Sequence, residues 1–296
     1  MGLRTKFNLA LLFVFAVGLA VTSLVSYRLL QRNARDEVVQ HAGIMMEAAL
    51  AVRSYTVKHV KPHLEMQLQR VFLPQSTAAF AAVETFNALR SRYPEYSYRE
   101  VALNSTNPSN RAVEWEADIV RGFRSSASTT EDIGERSSAT GKTLYLARPI
   151  QIRDKACLGC HDTPAVAPAT MVKLYGDANG FGWKLNEIIG AQIVSVPMSL
   201  PIAKAERAFY TFMSSLLGIF VALFLILNLM LHFVVIRPLD RMAYVADAIS
   251  TGNITLMDLP STGKDQVATL ARAFNRMRRS IEMAMRLMTE GDQRRS

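Results

Sequence analysis

Two long stretches without a charged side chain constrain this chain more than anything else in it. Phe7 to Tyr27 runs for 21 residues and Ala208 to Ile236 for 29. At about 1.5 Å rise per residue, an α-helix of 20 residues crosses the ~30 Å hydrocarbon core of a bilayer. A helix is the form such a segment takes in lipid, because it satisfies its own backbone hydrogen bonds. A cleaved signal peptide is the competing reading of the first stretch. Ala20-Val21-Thr22 is a poor small-x-small cleavage site and the apolar run continues past it, so the stretch is read as an uncleaved anchor. The second stretch is too long for the core helix of a soluble protein.

Two spans put both ends of the chain on one side. The divisions are then a tail (1–6), a first span (7–27), a large loop (28–207), a second span (208–236), a relay segment (237–290) and a second tail (291–296). The first six and last 60 residues hold 12 Lys/Arg, against 22 in the 180-residue loop. That density bias favours ends in the cytoplasm and a loop on the far side of the membrane; the localisation expected overall is a bacterial inner membrane with the loop in the periplasm. The net charge of +9 divides as +2, +4 and +3 over the N-terminal tail, loop and C-terminal segment. No basic patch interleaved with aromatics appears, so the charge is read as membrane-flanking, in contact with lipid, and nucleic acid is not expected as a partner. A chain that is 50% apolar and 20% charged is not disordered, and two cysteines cannot make a disulfide scaffold.

Those two cysteines carry the chemistry. They stand in Cys157-Leu158-Gly159-Cys160-His161, the C-x-x-C-H pattern of c-type haem attachment. Two thiols three positions apart reach the two vinyl groups of one haem and form thioethers. The next residue, His161, then lies under the iron as an axial ligand. A redox dithiol would not need the His, and a zinc site would need a second ligand pair, which the neighbourhood lacks. One motif implies one covalent haem c.

The sixth iron ligand is open on this reading. Asn33 to Arg70 reads as mostly helical with a break near Pro62, and His59 on its second half is the first candidate. Met45 and Met46 are the second, with core packing as their ordinary role. A five-coordinate iron open to a gas is the third. His232 in the second span has no His in the first span to share a haem, so it is read as a helix-interface residue. Gly141-Lys142-Thr143 resembles the end of a phosphate loop, but Arg136 stands where the first Gly is required. Neither G-x-S-x-G nor H-E-x-x-H occurs.

Elsewhere in the loop, helices are expected over 75–92 and 113–124. Strands are expected over 98–103, 143–152 and 193–198, with a turn-rich segment over 104–110. Leu144 to Ile150, Cys157 to His161, the Gly180-Phe181-Gly182-Trp183 turn with Ile193 to Met198, and Asn107-Pro108 with Glu114-Trp115-Glu116 together resemble the periplasmic haem c sensor family with a PAS-like fold. The likeness covers most of residues 40–200. It implies an α+β domain: a small antiparallel sheet flanked by helices, with haem held against the sheet. Some members use a distal Cys ligand; here Val57 or a neighbour falls at about that place, so that ligation does not carry over. Arg53 and Arg148 are the candidate partners of the haem propionates.

After the second span, Pro238 opens a helix with Leu239, Met242, Ala246 and Ile249 on one stripe. Val267, Leu270, Phe274, Met277, Ile281, Ala284 and Met288 then repeat at alternating spacings of 3 and 4, a coiled-coil seam. Two short amphipathic helices cannot bury such stripes alone, which predicts a homodimer with a parallel four-helix bundle. The layout resembles a HAMP domain: Pro238, Asp265 and Ala273 to Met277 match its pattern. Gln266 stands where the family has Glu, and Ala268 where it has Gly.

The leading expectation is a homodimeric membrane sensor, not an enzyme. Its haem domain detects redox state or a diatomic gas and relays the state across the membrane. The chain ends at Ser296, so output is expected through a separate cytoplasmic protein, such as a kinase, cyclase or chemotaxis component. The alternative is a membrane-anchored monohaem cytochrome carrying electrons; a haem peroxidase is a more distant third.

Overall fold

In the computed structural model, the residues described are 2–126, 128–138, 141–251 and 258–293. They divide into two compact units, one of residues 26–209 and one of residues 1–25 with 210–296.

The chain opens with a long helix, α1 (Leu3–Tyr55). A π-helical segment (Thr56–Val60), a 3₁₀ turn (Lys61–Leu64) and a short α2 (Glu65–Leu68) follow. The helix after the sheet is α7 (Ser199–Met230), which passes into a second π-helical segment (Leu231–Ile236) and then α8 (Arg237–Ser250). Both π segments end two residues before a proline, Pro62 and Pro238. Proline has no N–H for the carbonyl four residues back, and its ring crowds that carbonyl. The wider i→i+5 winding relieves both. The break expected near Pro62 therefore begins earlier, at Thr56.

The larger unit is built on an antiparallel sheet of β1 (Ser97–Ala102), β2 (Asp132–Ser138), β3 (Gly141–Gln151) and β4 (Ile188–Pro197), in the order β1-β4-β3-β2. Its helices include α3 (Ala78–Leu89), α4 (Glu114–Ser125) and the short α5 (Leu158–His161) and α6 (Ala169–Tyr175). Every residue of β4 is buried, because both faces of the sheet are covered. Alternation along the strands sorts the side chains. Tyr98, Leu144, Leu146, Val194 and Val196 share a core with Val38, Ala42, Met46 and Ala49 of α1 and Ala82 and Phe86 of α3. Val101, Ala147, Ala191 and Ile193 share the other with Ile119, Val120 and Phe123 of α4. Glu100, Gln192 and Arg148 form one register row across three strands. Arg53 of α1 pairs with Glu100 and Arg148 with Glu47 of α1, so this polar row ties α1 to the sheet. Tyr27 and Phe209 meet edge to face at 5.6 Å where the two long helices enter the unit.

Two strand expectations changed. β2 has one large apolar residue, Ile133, so alternation could not reveal it; pairing with β3 makes it a strand. β4 begins at Ile188, five residues before the expected start, because Gly190 pairs with Ala102 on β1. A Cβ at Gly190 would lie 2.1 Å from the Val101 carbonyl oxygen, so only glycine lets the two backbones approach there.

In the other unit, two helical segments are long and apolar enough to cross a membrane, with peak mean hydropathies of 2.5 and 2.8. They lie side by side, with Phe15 stacked on Phe220 at 4.7 Å. Beyond them, Met242 and Val245 of α8 share a core with Leu259 and with Ala271 of α9 (Gln266–Gln293), and Val267 and Phe274 of α9 pack against it. The sequence places the end of this helix at Thr251-Gly252-Asn253, of which 252 and 253 lie outside the described residues; the helix closes at Ser250. Leu239 and Ala246 of the expected α8 stripe are exposed, while Met242 and Val245 are buried. On α9 the buried side is Ala268, Ala271, Asn275 and Arg278. Leu270, Met277 and Ile281 of the expected seam remain 50%, 51% and 39% exposed within one chain.

Candidate functional site

The thiol pair is presented by a compact turn. Asp154 accepts a hydrogen bond from the Ala156 N–H at 2.8 Å and so opens the 3₁₀ turn Lys155–Cys157. The single turn α5 follows directly, which places Cys157 and Cys160 three residues apart on one side. Cys157 and Leu158 pack with Trp183 against Ala102, Ile152 and Ile189. Both thiols are free and half-buried.

His161 is held at Nδ1 and across one ring face. Its Nδ1 lies 2.7 Å from the Gly180 carbonyl oxygen. A carbonyl can only accept, so Nδ1 carries the proton and Nε2 keeps its lone pair. The ring stacks on Trp183 at 3.8 Å with planes 15° apart. The Gly182 N–H donates to Asp162 O at 2.7 Å, and the Trp183 N–H to His161 O at 3.2 Å. Gly180 and Gly182 adopt φ of +85° and +78°, which L side chains rarely do. Burial holds the His161 pKa below its usual value, partly offset by the Gly180 hydrogen bond. The imidazole is thus neutral near pH 7, the state in which it ligates a metal.

The end of α1 lies alongside. Lys61 is near enough to Cys160 to favour its thiolate, although burial dominates and raises that pKa. Arg53 is near enough to Cys157 to interact with it electrostatically, and it pairs with buried Glu100. Glu100 also accepts from Tyr98 Oη at 2.7 Å, and Tyr98 Oη accepts from Gln192 at 3.1 Å.

His59 is exposed on the π segment, 5.5 Å from the Tyr55 ring. Met46 is fully buried in the core under α1 and Met45 packs against that core, so packing takes up both side chains. Arg148 bonds to Glu47 of α1 at 2.7 Å and to Glu131, just before β2, at 2.9 Å, a tie between the sheet and α1. His232 sits in the second π segment beside Phe233. The site residues that sequence reasoning missed are Glu100 and Asn104. The turn-rich run from Asn104 was a signal for the latter; nothing local marked the former.

These residues fit a haem held by two thioethers. Two adjacent free thiols and a neutral imidazole with a bare Nε2 are the donor set such a group needs. Among the described residues, no group of three or more His, Cys, Asp or Glu is arranged to hold a bare metal ion.

A mixed helix-and-sheet unit with this motif, two helices long and apolar enough to cross a membrane and a packed helix pair after them fit a membrane-anchored, signal-transducing sensor. More particularly, the chain belongs to the Tll0287-like family, whose model matches residues 31–197. A HAMP domain matches residues 231–283. Among solved structures, the chain is similar to the crystal structure of the cyanobacterial heme-protein Tll0287, at 16% identity over 54% of this chain and 95% of that one, with a TM-score of 0.43. No curated protein matches.

Proposed function

We propose that this protein is a homodimeric haem c sensor of the bacterial inner membrane. Cys157 and Cys160 attach one haem, His161 binds its iron, and the haem domain, PAS-like in kind, lies in the periplasm. The observation that carries this reading is the arrangement at His161: Nδ1 is tied to Gly180 O at 2.7 Å beside two free thiols, so Nε2 is presented and neutral. Bound there, the haem supplies a one-electron couple and a site for a diatomic ligand.

The chain's own part is to orient and to transmit. Trp183 and Gly180 fix the ring, Arg53 is placed near Cys157 to meet a propionate, and His59 is the first candidate for the distal position. Arg148 is the weaker propionate candidate, being engaged by two carboxylates. The core stripe of α1, Val38 to Ala49, continues to Arg53, so a change at the haem edge bears on the same helix that holds the first apolar stretch. The exposed Leu270, Met277 and Ile281 support a second copy completing the four-helix bundle. A bundle with two packings lets such a bias be read in the cytoplasm by a signalling protein, the remaining partner. No catalytic role is proposed.

The test is maturation of the full chain in a host that attaches c-type haem. A mass gain surviving denaturation and a pyridine haemochrome band are expected, and both should vanish in the Cys157→Ala/Cys160→Ala variant. Wild-type protein without either signal would refute the reading. CO or NO binding that changes α8–α9 packing supports sensing. A six-coordinate haem that cycles without moving those helices would mark an electron carrier instead.

A further inference from the structure

The residue that aims the iron ligand sits 57 positions earlier in the chain, on the turn after β1. We propose that Asn104 is a positioning residue for His161, acting through the Gly180–Phe181 peptide. The inference rests on the haem reading above and adds the element that tunes it.

Asn104 brackets that peptide with both ends of its side-chain amide. Its Oδ1 accepts from the Gly180 N–H at 3.0 Å, and its Nδ2 donates to Phe181 O at 3.2 Å. The carbonyl lying between those two anchored groups is Gly180 O, the acceptor of the His161 Nδ1 proton. Holding both flanks disfavours turning that carbonyl away from the ring. The same turn closes the other side. Thr106 Oγ1 stands 3.4 Å from His161 Nδ1, and a Cβ at Gly180 would fall 1.8 Å from it. Arg111 adds a bond to Asn179 Oδ1 at 3.4 Å, so three residues of this turn touch the Gly180 loop or the imidazole.

The chemistry follows from the outer hydrogen bond of a ligating imidazole. A strong Nδ1–H···O=C bond gives the ring imidazolate character, raises its basicity and favours the oxidised metal. Losing such a partner typically costs 10- to 100-fold in affinity or activity. Releasing the Gly180 carbonyl should therefore make the iron easier to reduce without removing a ligand.

The experiment uses the full chain with haem attached, in detergent. Haemochrome yield and thermal midpoint are measured first, then the haem reduction potential. In Asn104→Ala the ratio of oxidised to reduced haem at a fixed applied potential should fall about tenfold, ~59 mV upward for a one-electron couple. Should Asn104→Ala load haem poorly, Asn104→Ser takes its place with the same expectation. A haem-loaded variant with an unchanged potential would overturn the proposal and leave the haem reading intact. Wild-type protein without haem would overturn that reading itself, a separate and recognisable failure.

Discussion

Glu100→Ala is the most informative single perturbation of the fold, because it removes the carboxylate at the β1 end of the row that ties α1 to the sheet. Glu100 is 4% exposed and its partner Arg53 26%. Removing one partner of a buried pair costs about 3–5 kcal/mol, mostly by leaving the other charge uncompensated. Arg53 keeps some water, so the low end applies, about 3 kcal/mol. Tyr98 also loses the acceptor of its hydroxyl, which adds about 1 kcal/mol. For a unit of this size, about 2–4 °C of Tm accompanies each kcal/mol, so the midpoint should fall by roughly 8–16 °C. Glu100→Gln keeps an acceptor for Tyr98 and should cost about 1 kcal/mol less. The double variant Arg53→Met/Glu100→Leu removes both charges and should recover most of the loss. The assay is urea unfolding of the full chain in detergent, followed by fluorescence. Both tryptophans, Trp115 and Trp183, lie in this unit, so the signal reports on it. A loss below about 1 kcal/mol at constant m-value would refute the account of a desolvated pair.

Three further outcomes concern the unit that holds α8 and α9. Asn275 accepts from the Leu259 N–H at 3.0 Å and donates to Leu259 O at 2.9 Å. Asn275→Ala strands two buried backbone groups, so it should cost about 2–4 kcal/mol of local stability and raise hydrogen exchange around 258–261. Asp258 has its pKa depressed chiefly by its hydrogen bond from Arg279, with Arg278 adding to the effect. A depressed carboxylate contributes above its unfolded pKa and ceases to as pH falls through its folded one. α8–α9 packing in wild type should therefore loosen below about pH 4, and Asp258→Asn should remove that acid dependence, as read by hydrogen exchange between pH 2 and 6. Finally, Met277→Cys, at a seam position 51% exposed, should form an intermolecular disulfide under mild oxidation. Failure to cross-link at this and the Ile281→Cys site would count against the dimer.

Legibility in the sequence depended on how local each signal is. The α3, α4 and β3 segments appear within a few residues of where their patterning places them, because each buries one face with a fixed period. β2 does not, since Asp132-Ile133-Gly134-Glu135 carries no alternation and becomes a strand only through β3. In the sequence Glu100 is indistinguishable from a surface acid in a strand, because its partner Arg53 lies 47 residues away. On α9 the sequence shows the seam, and Val267 and Phe274 of it do pack on the α8 core; the fully buried positions, Ala268, Ala271 and Asn275, are small or polar and carry no apolar signal.

By itself, the amino-acid order determined the two apolar helices, the thiol pair with its adjacent imidazole, and the heptad stripe. Each is a short-range pattern set by helix rise, by the reach of neighbouring side chains or by residues per turn. Tertiary structure decided which nitrogen of His161 is free, that Met46 belongs to the core, and that Asn104 holds the loop behind the ligand. Those depend on groups brought together across 19 to 76 residues of chain, and no local periodicity encodes which carbonyl ends up facing which ring.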